Sequence, residues 1–114
     1  MTKRIQRVNQ LIRKEISMIF LREVIFPEGT LVTVTRVETA DNLAQSRIFV
    51  SSIPENKIKS VLLILNKQIY QLQQELNQRL NMRPVPRICF VKEKETLEAG
   101  RIEEILANLK EKEK

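Results

Sequence analysis

The stretch that decides the fold is residues 57–82, KIKSVLLILNKQIYQLQQELNQRLNM. Neither Gly nor Pro interrupts it, and its apolar residues recur every three or four positions, which is the spacing of one helix face. They are Ile58, Val61, Leu62, Leu65, Ile69, Leu72, Leu76 and Leu80. At a rise of ~1.5 Å per residue, a helix of this length would span about 40 Å, more than the width of a small domain. The flanking segments must therefore supply the surface that covers its apolar stripe.

Length and composition predict a single domain over residues 1–110, followed by a charged tail at 111–114 that we expect to be disordered. The chain has 114 residues, of which 42% are hydrophobic. No uncharged apolar run reaches the ~18 residues of a membrane span, and the basic N-terminus lacks the apolar block of a signal peptide. The single cysteine, Cys89, lies in an apolar run, so we expect a buried free thiol in a reducing, cytoplasmic setting.

The lack of histidine and the scarcity of glycine narrow the range of possible functions. The chain has no histidine, which removes the commonest general base and the commonest zinc ligand together. It has only two glycines, so neither a glycine-rich phosphate loop nor a Gly-x-x-Gly nucleic-acid clamp can be formed. The acids Glu15, Glu38, Asp41 and Glu75 form no close pair, and salt bridges or caps suit them better than general-acid chemistry. We predict a binding protein without catalytic residues, metal or cofactor.

The positive charge is concentrated on the helical segments. The formal net charge is +6. Residues 1–23 carry six basic and two acidic residues, residues 24–56 two and four, residues 57–83 five and one, and residues 84–114 seven of each. This distribution favours a surface that faces a polyanion, most simply nucleic acid, although a merely solubilising basic surface would look the same.

Five further elements flank the long helix. A first helix over 5–23 has the apolar stripe Ile5, Val8, Leu11, Ile12, Ile16, Ile19 and Phe20, with Thr2 as a candidate cap. Strands over 31–39 and 46–53 form a hairpin, and Asn56 is a candidate N-cap for the long helix. A third strand follows at 87–91, and a last amphipathic helix begins near 97–100, with Ile102, Ile105, Leu106 and Leu109 as its stripe.

The predicted fold class is α+β, in the order α-β-β-α-β plus a short C-terminal helix. A strand, a helix and another strand in one sheet form a right-handed parallel crossover, so the third strand pairs most simply with the second. This gives the strand order 1-2-3 in a three-stranded mixed sheet, with 3-1-2 as the alternative. The helices cover one face of the sheet and leave the other more open.

Several short motifs, in collinear order, resemble the ribosome-binding factor A family. They are Arg4-x-x-Arg7-Val8, Lys14-Glu15-Ile16, Pro27, Val34 to Val37, Asp41-x-Leu43-Ala44-x-Ser46-Arg47-Ile48-Phe49-Val50, Arg83-x-Val85-Pro86-x-Ile88-x-Phe90 and Gly100-Arg101-Ile102. The resemblance implies a KH-like fold of the second type. It also implies a non-catalytic maturation factor of the bacterial small subunit, which binds the 30S particle near the 5′ region and neck of its 16S rRNA and assists rRNA processing and cold adaptation.

The long helix departs from the family pattern at one point. The family usually breaks this helix at an Ala-x-Gly, and that triplet falls on Gln68-Ile69-Tyr70 here. Without glycine, the helix either bends near residues 66–68 through packing or runs straight. Its length favours a bend, because a straight helix would overhang the sheet.

Eleven basic residues are candidate RNA contacts: Arg4, Arg7, Lys14, Arg47, Lys57, Lys59, Lys67, Arg79, Arg83, Arg87 and Arg101. Those on helices would bind ribosomal phosphates, helped by the amides of helix N-termini, while Arg47 and Arg87 would add to a basic sheet face. The alternative for each is an ordinary solvated or salt-bridged side chain. Tyr70 is the candidate for base stacking, or it shields the seam between helix and sheet.

Two other functions remain open. The near-heptad spacing of the long helix also suits a dimeric scaffold in which two chains pair through the Leu65–Leu80 stripe, and the positive charge also suits a DNA-binding nucleoid or regulatory protein. For the family reading we expect a monomer bound to the 30S subunit, without membrane contact.

Overall fold

The computed structural model describes residues 3–93. Its elements are α1 (Lys3–Glu23), β1 (Leu31–Thr39), β2 (Gln45–Ile53), a 3-10 turn (Glu55–Lys57), α2 (Ile58–Lys67), α3 (Ile69–Arg79) and β3 (Arg87–Lys92). The predicted Thr2 cap, the C-terminal helix and the charged tail lie outside the described residues. Asn56 is not the predicted N-cap, because it lies within the 3-10 turn, and α2 begins after Lys57 without a side-chain cap.

The sheet has the predicted order, β1-β2-β3, and the alternative order 3-1-2 is wrong. β1 pairs with β2 in an antiparallel ladder, and β2 pairs with β3 in parallel. α1 packs over β1 and against α3, whereas α2 packs over β3. A bulge between Val34 and Arg36 shifts the register of β1 by one residue. Beyond the bulge, Arg36 therefore faces the side of the sheet away from the helices, on which the side chain of Phe49 also lies.

The apolar stripes of the helices meet the sheet in one core. Ile12, Ile16, Ile48 and Val50 have no measurable exposure, and the stripe of the long segment is also largely buried there. Leu65, Leu72, Leu76 and Leu80 are each at most 1% exposed. The stripe that suggested pairing between two chains is thus used within the fold. Two side chains differ from expectation: Leu11 is 41% exposed, and the thiol-bearing Cys89 is half-buried on the open face.

The long helix breaks at Gln68, the first residue of the triplet onto which the resemblance places an Ala-x-Gly. Gln68 has φ −106° and ψ 12°, and its amide donates to the Leu65 carbonyl at 3.2 Å, one residue short of the α-helical partner. The bend is confirmed, and no glycine is needed for it. Packing provides the reason: with Leu65 and Leu72 both in the core, the break lets α2 lie over β3 while α3 turns against α1.

Side chains from the helices cap both edges of the sheet. On the β3 edge, the Gln73 amide nitrogen donates to the Pro86 carbonyl at 3.1 Å, and its oxygen accepts the Ile88 amide at 2.9 Å. The side chain of Gln73 thereby mimics the backbone of a neighbouring strand. On the β1 edge, Arg13 Nε donates to the Val34 carbonyl at 3.3 Å. The β3 edge is closed by two bonds, and the β1 edge is held by one.

The hairpin between β1 and β2 closes with a leucine in the left-handed region. Leu43 has φ 62°, its amide donates to the Ala40 carbonyl at 2.8 Å, and its half-buried side chain packs against the core. Asn42 Oδ1 accepts the Ala44 amide at 3.0 Å, as its turn chemistry predicts. The Ala44 carbonyl then accepts the Arg87 amide at 3.0 Å, which ties this loop to the start of β3.

Candidate nucleic-acid interface

The N-terminal end of α1 carries exposed positive charge where a helix disfavours it. Lys3, Arg4 and Arg7 are exposed, and the first turn of α1 holds no acidic residue. The N-terminal end of a helix bears a partial positive charge that acts within the first turn, so Lys3 and Arg4 are each destabilising by about 0.3–1 kcal/mol, and Arg7, the fifth residue of α1, lies just beyond that turn. None of the three forms a salt bridge within residues 3–93. A bound anion would relieve this repulsion.

The other two helices repeat the arrangement. Lys57 and Lys59 are exposed at the start of α2, and Lys67 is exposed one residue before the break that precedes α3. Neither helix has an acidic residue in its first turn. Tyr70, in the first turn of α3, is 76% exposed, so it does not shield the helix–sheet seam and is available for stacking. The break therefore creates a helix N-terminus beside a lysine and an aromatic ring.

Two of the predicted contacts at the end of α3 are engaged within the fold. Arg79 Nη1 lies 3.4 Å from Glu15 Oε1 of α1, its Nε lies 4.0 Å from Glu75 Oε1, and its side chain is 22% exposed. Arg83 Nη1 donates to the Leu80 carbonyl at 3.0 Å and to the Met82 carbonyl at 2.6 Å. Arg79 joins α3 to α1, and Arg83 closes the end of α3 although its side chain is exposed. As predicted, Glu15 and Glu75 form salt bridges.

Two cations on the open face of the sheet, Arg36 and Arg47, are paired with carboxylates. Arg47 Nη2 lies 2.9 Å from Glu38 Oε1, and Arg36 binds both Glu38 and Glu93, its Nε lying 3.0 Å from Glu93 Oε1. The Arg36 guanidinium carbon lies 3.9 Å from the centre of the Phe49 ring, and this stacking leaves Phe49 only 6% exposed. The hydrogen bond to Glu93 raises the pKa of Arg36 above its ordinary value although burial lowers it, so the group stays charged.

Sequence reasoning missed Arg36. Strict alternation along β1 places it on the same side as Val34, inside the core, and the bulge moves it to the open face. No signal in the sequence marks that bulge. Of the remaining candidates, Lys14 and Arg87 are exposed, and Arg101 lies outside the described residues.

Other classes of site find little support in the part of the chain that the structure describes. Residues 3–93 contain no group of three or more Cys, Asp or Glu side chains placed to hold a metal ion. Over the same range, none of the helices combines the length and apolarity that crossing a membrane requires.

Comparison with solved structures identifies the fold. A crystal structure of ribosome-binding factor A from Thermus thermophilus superimposes with a TM-score of 0.65 at 20% identity, covering 77% of this chain and 94% of that one. Coordinates of the Thermus thermophilus factor fitted into a cryo-electron microscopy map of a complex with the 30S subunit give a TM-score of 0.63 at 20% identity, covering 73% and 88%. The α+β arrangement is thus the predicted KH-like fold.

Comparison of sequences identifies the family. The family model "Ribosome-binding factor A" matches residues 4–106. Ribosome-binding factor A of Nitrosococcus oceani is 34% identical over 99 residues, covering 86% of this chain and 77% of the relative. That of Halothermothrix orenii is 32% identical over 112 residues, covering 97% and 92%. The resemblance carried by the short motifs is thereby confirmed, and this chain belongs to the ribosome-binding factor A family.

Proposed function

We propose that this protein is a non-catalytic assembly factor that binds the 30S subunit through its 16S rRNA, near the 5′ region and neck. In this role it assists late maturation and rRNA processing and supports growth in the cold. It acts as a cytoplasmic monomer without metal or cofactor. Family membership supports the ribosomal target, and a relative of the same fold has been fitted into a map of a 30S complex.

One observation carries the proposal. The helices α1 and α2 both begin with exposed basic residues and without acids, and a lysine immediately precedes α3. Helix N-terminal amides bind phosphate oxygens, and lysine or arginine beside them adds charge. Because the same placement is unfavourable for the isolated helix, it is better explained by an anionic partner than by solubility.

The mechanism is recognition of shape. Phosphates of folded rRNA occupy the positive ends of α1 and α2, at Arg4, Arg7, Lys57 and Lys59. Lys67 and Tyr70 at the break contact the backbone and an unpaired base. Double-stranded RNA is recognised mainly through its form and its phosphates, and this surface is suited to that mode. The rigid core beneath the helices fixes the spacing of the phosphate contacts.

The remaining candidates contribute less. Arg47 must leave Glu38 before it can bind RNA, and Arg79 must leave Glu15. Arg83 must likewise leave the Leu80 and Met82 carbonyls, whereas Arg87 lies exposed at the start of β3, where it can reach a phosphate without rearrangement of the core. Lys14 is exposed on α1 and adds a further candidate contact, and Arg101, outside the described residues, is a candidate on the sequence alone.

The test is cosedimentation of the full-length protein with free small subunits. The variant Arg4→Glu/Arg7→Glu/Lys59→Glu should fail to cosediment at a salt concentration that retains the wild type. A matched variant with Arg22→Glu, which reverses an exposed charge at the other end of α1, should cosediment normally. Unchanged cosedimentation of the triple variant would refute the proposal. Duplex DNA that competes as well as small subunits would instead favour the DNA-binding function.

A further inference from the structure

A groove of about 630 Å³ runs between the second half of α1 and the outer edge of β1. Its walls are largely apolar, with Phe20 and Val24 on one side and Val32 on the other. Leu21 and Leu31 on its rim are 87% and 62% exposed. Since β1 is an edge strand, its outer polar groups lack a strand partner within residues 3–93. An apolar groove and an open strand edge therefore coincide.

Arg13 partly occupies this edge. Its Nε donates to the Val34 carbonyl at 3.3 Å, from the side opposite β2. Along a strand of an antiparallel pair, the backbone N–H and C=O groups of successive residues point alternately toward the paired strand and away from it. The backbone polar groups of Val34 therefore point away from β2, and so do those of Val32, two residues earlier with no bulge between them. The edge offers the N–H and C=O of Val32 and the carbonyl that Arg13 holds.

The polar part of the groove is cationic. Arg13 and Lys14 line it, and no carboxylate does. The hydroxyl oxygen of Thr30 is buried in its wall without a hydrogen-bond partner among the described residues. Charge complementarity selects an acidic occupant. The apolar walls and the strand edge favour a polypeptide over RNA, because phosphates and sugars gain nothing from contact with Phe20 or Val24.

We propose that this groove docks an extended segment of a partner protein, with alternating apolar and acidic residues, as a fourth strand beside β1. A backbone N–H of the segment replaces Arg13 at the Val34 carbonyl. Arg13, once released, pairs with a carboxylate of the segment, and the apolar side chains pack between α1 and β1. Strand addition of this kind takes affinity from backbone bonds and specificity from side-chain pockets. Arg4, Arg7, Lys59 and Lys67 do not line the groove, and Lys14 is the one candidate rRNA contact among the described residues that does, so the groove lies largely apart from the proposed rRNA contacts.

The probe is a capped octapeptide that alternates valine and glutamate, titrated into ¹⁵N-labelled full-length protein. The amide signals of Val32 and Val34 should shift, and the Val32 amide should become protected from hydrogen exchange. A control peptide with lysine in place of glutamate should bind more weakly, by about tenfold or more. Equal binding of the two peptides, or shifts confined to α2, would overturn the proposal.

Three variants separate backbone pairing from charge. Val32→Pro removes the outward N–H, which an edge strand tolerates, and should weaken binding by about tenfold, whereas Val32→Ala should weaken it less. Arg13→Glu should reverse the preference, so that the lysine peptide binds better. This reversal decides the question even if Val32→Pro does not fold. Dimerisation of the free protein through β1, or displacement of the glutamate peptide by oligouridine with the same shifts, would assign the groove to another occupant and overturn the proposal.

Discussion

The helical side and the open sheet face of this protein both carry arginines, but they hold them differently. On the helical side, Arg4, Arg7 and Lys59 are exposed and form no salt bridge within residues 3–93. On the sheet face, Arg36 and Arg47 share Glu38, and Arg36 also stacks on Phe49. The number of basic residues in the sequence is therefore not a measure of the positive charge that is available to a partner. Arg4, Arg7 and Lys59 on the helical side are available to a partner, whereas Arg36 and Arg47 on the sheet face are used within the fold.

The largest expected effect is on RNA binding by the free cations. Arg4→Glu/Arg7→Glu should lower the affinity for small subunits by about a hundredfold, since each charged contact contributes about 1.5 kcal/mol or more. Filter binding or cosedimentation at constant salt measures the change. Neutralising the same pair to glutamine should also reduce the slope of log K against log salt by ~0.7–0.9 per contact.

The matched control for this pair is Arg47→Gln on the sheet face. Since Arg47 is already paired with Glu38, its loss should leave the salt slope nearly unchanged. A slope that falls equally for Arg47→Gln and for either α1 arginine would mean that the two surfaces do not differ in the way proposed here.

A second prediction concerns a held cation, Arg79. Glu15→Gln removes its 3.4 Å partner and leaves Glu75 at 4.0 Å, in a region where both Glu15 and Arg79 are mostly buried. The free energy of unfolding should fall by about 1–3 kcal/mol, because a poorly solvated guanidinium loses its main counter-charge. Urea denaturation measures this loss. Affinity for small subunits should not fall, because the change removes a carboxylate that competes with RNA for Arg79, and a large drop in binding by the folded variant would show that Glu15 itself belongs to the interface.

The sequence alone could not distinguish the cations that are free to bind a partner from those that are held by carboxylates within the fold. Periodicity predicted the bounds of β1 and the apolar stripes, because those depend on local spacing, and the rule of right-handed crossovers predicted the strand order. The break at Gln68 depends on α3 packing against α1, and no glycine or proline marks it. The pairing of Arg36 depends on a one-residue bulge, and that of Arg79 on a contact between residues 64 positions apart. Tertiary geometry alone decides which charges are free.

A third prediction would convert held cations into free ones. Glu38→Gln releases Arg47 fully and leaves Arg36 with Glu93. Because these groups are partly solvent-exposed, stability should change by less than about 1 kcal/mol. Nonspecific binding to a polyanion such as heparin or duplex RNA should rise a few fold, which retention on a heparin column at increasing salt measures. Unaltered retention would mean that the Glu38 pairs do not limit the charge of this face.

The smallest effect is also the most discriminating, since stability and binding should change in opposite directions. Lys59 is the second residue of α2, where the positive end of the helix favours an acid, so Lys59→Glu should raise the free energy of unfolding by about 0.3–1 kcal/mol. The same change should weaken binding to small subunits. Arg22→Glu, in the last turn of α1, should lower stability by a similar amount and leave binding intact. Thermal melts give the direction of the stability change for each variant, and cosedimentation gives the direction of the binding change. If Lys59→Glu lowered both stability and binding, its effect on binding would reflect damage to the fold. The result would then no longer support the helix N-termini as the rRNA-binding surface.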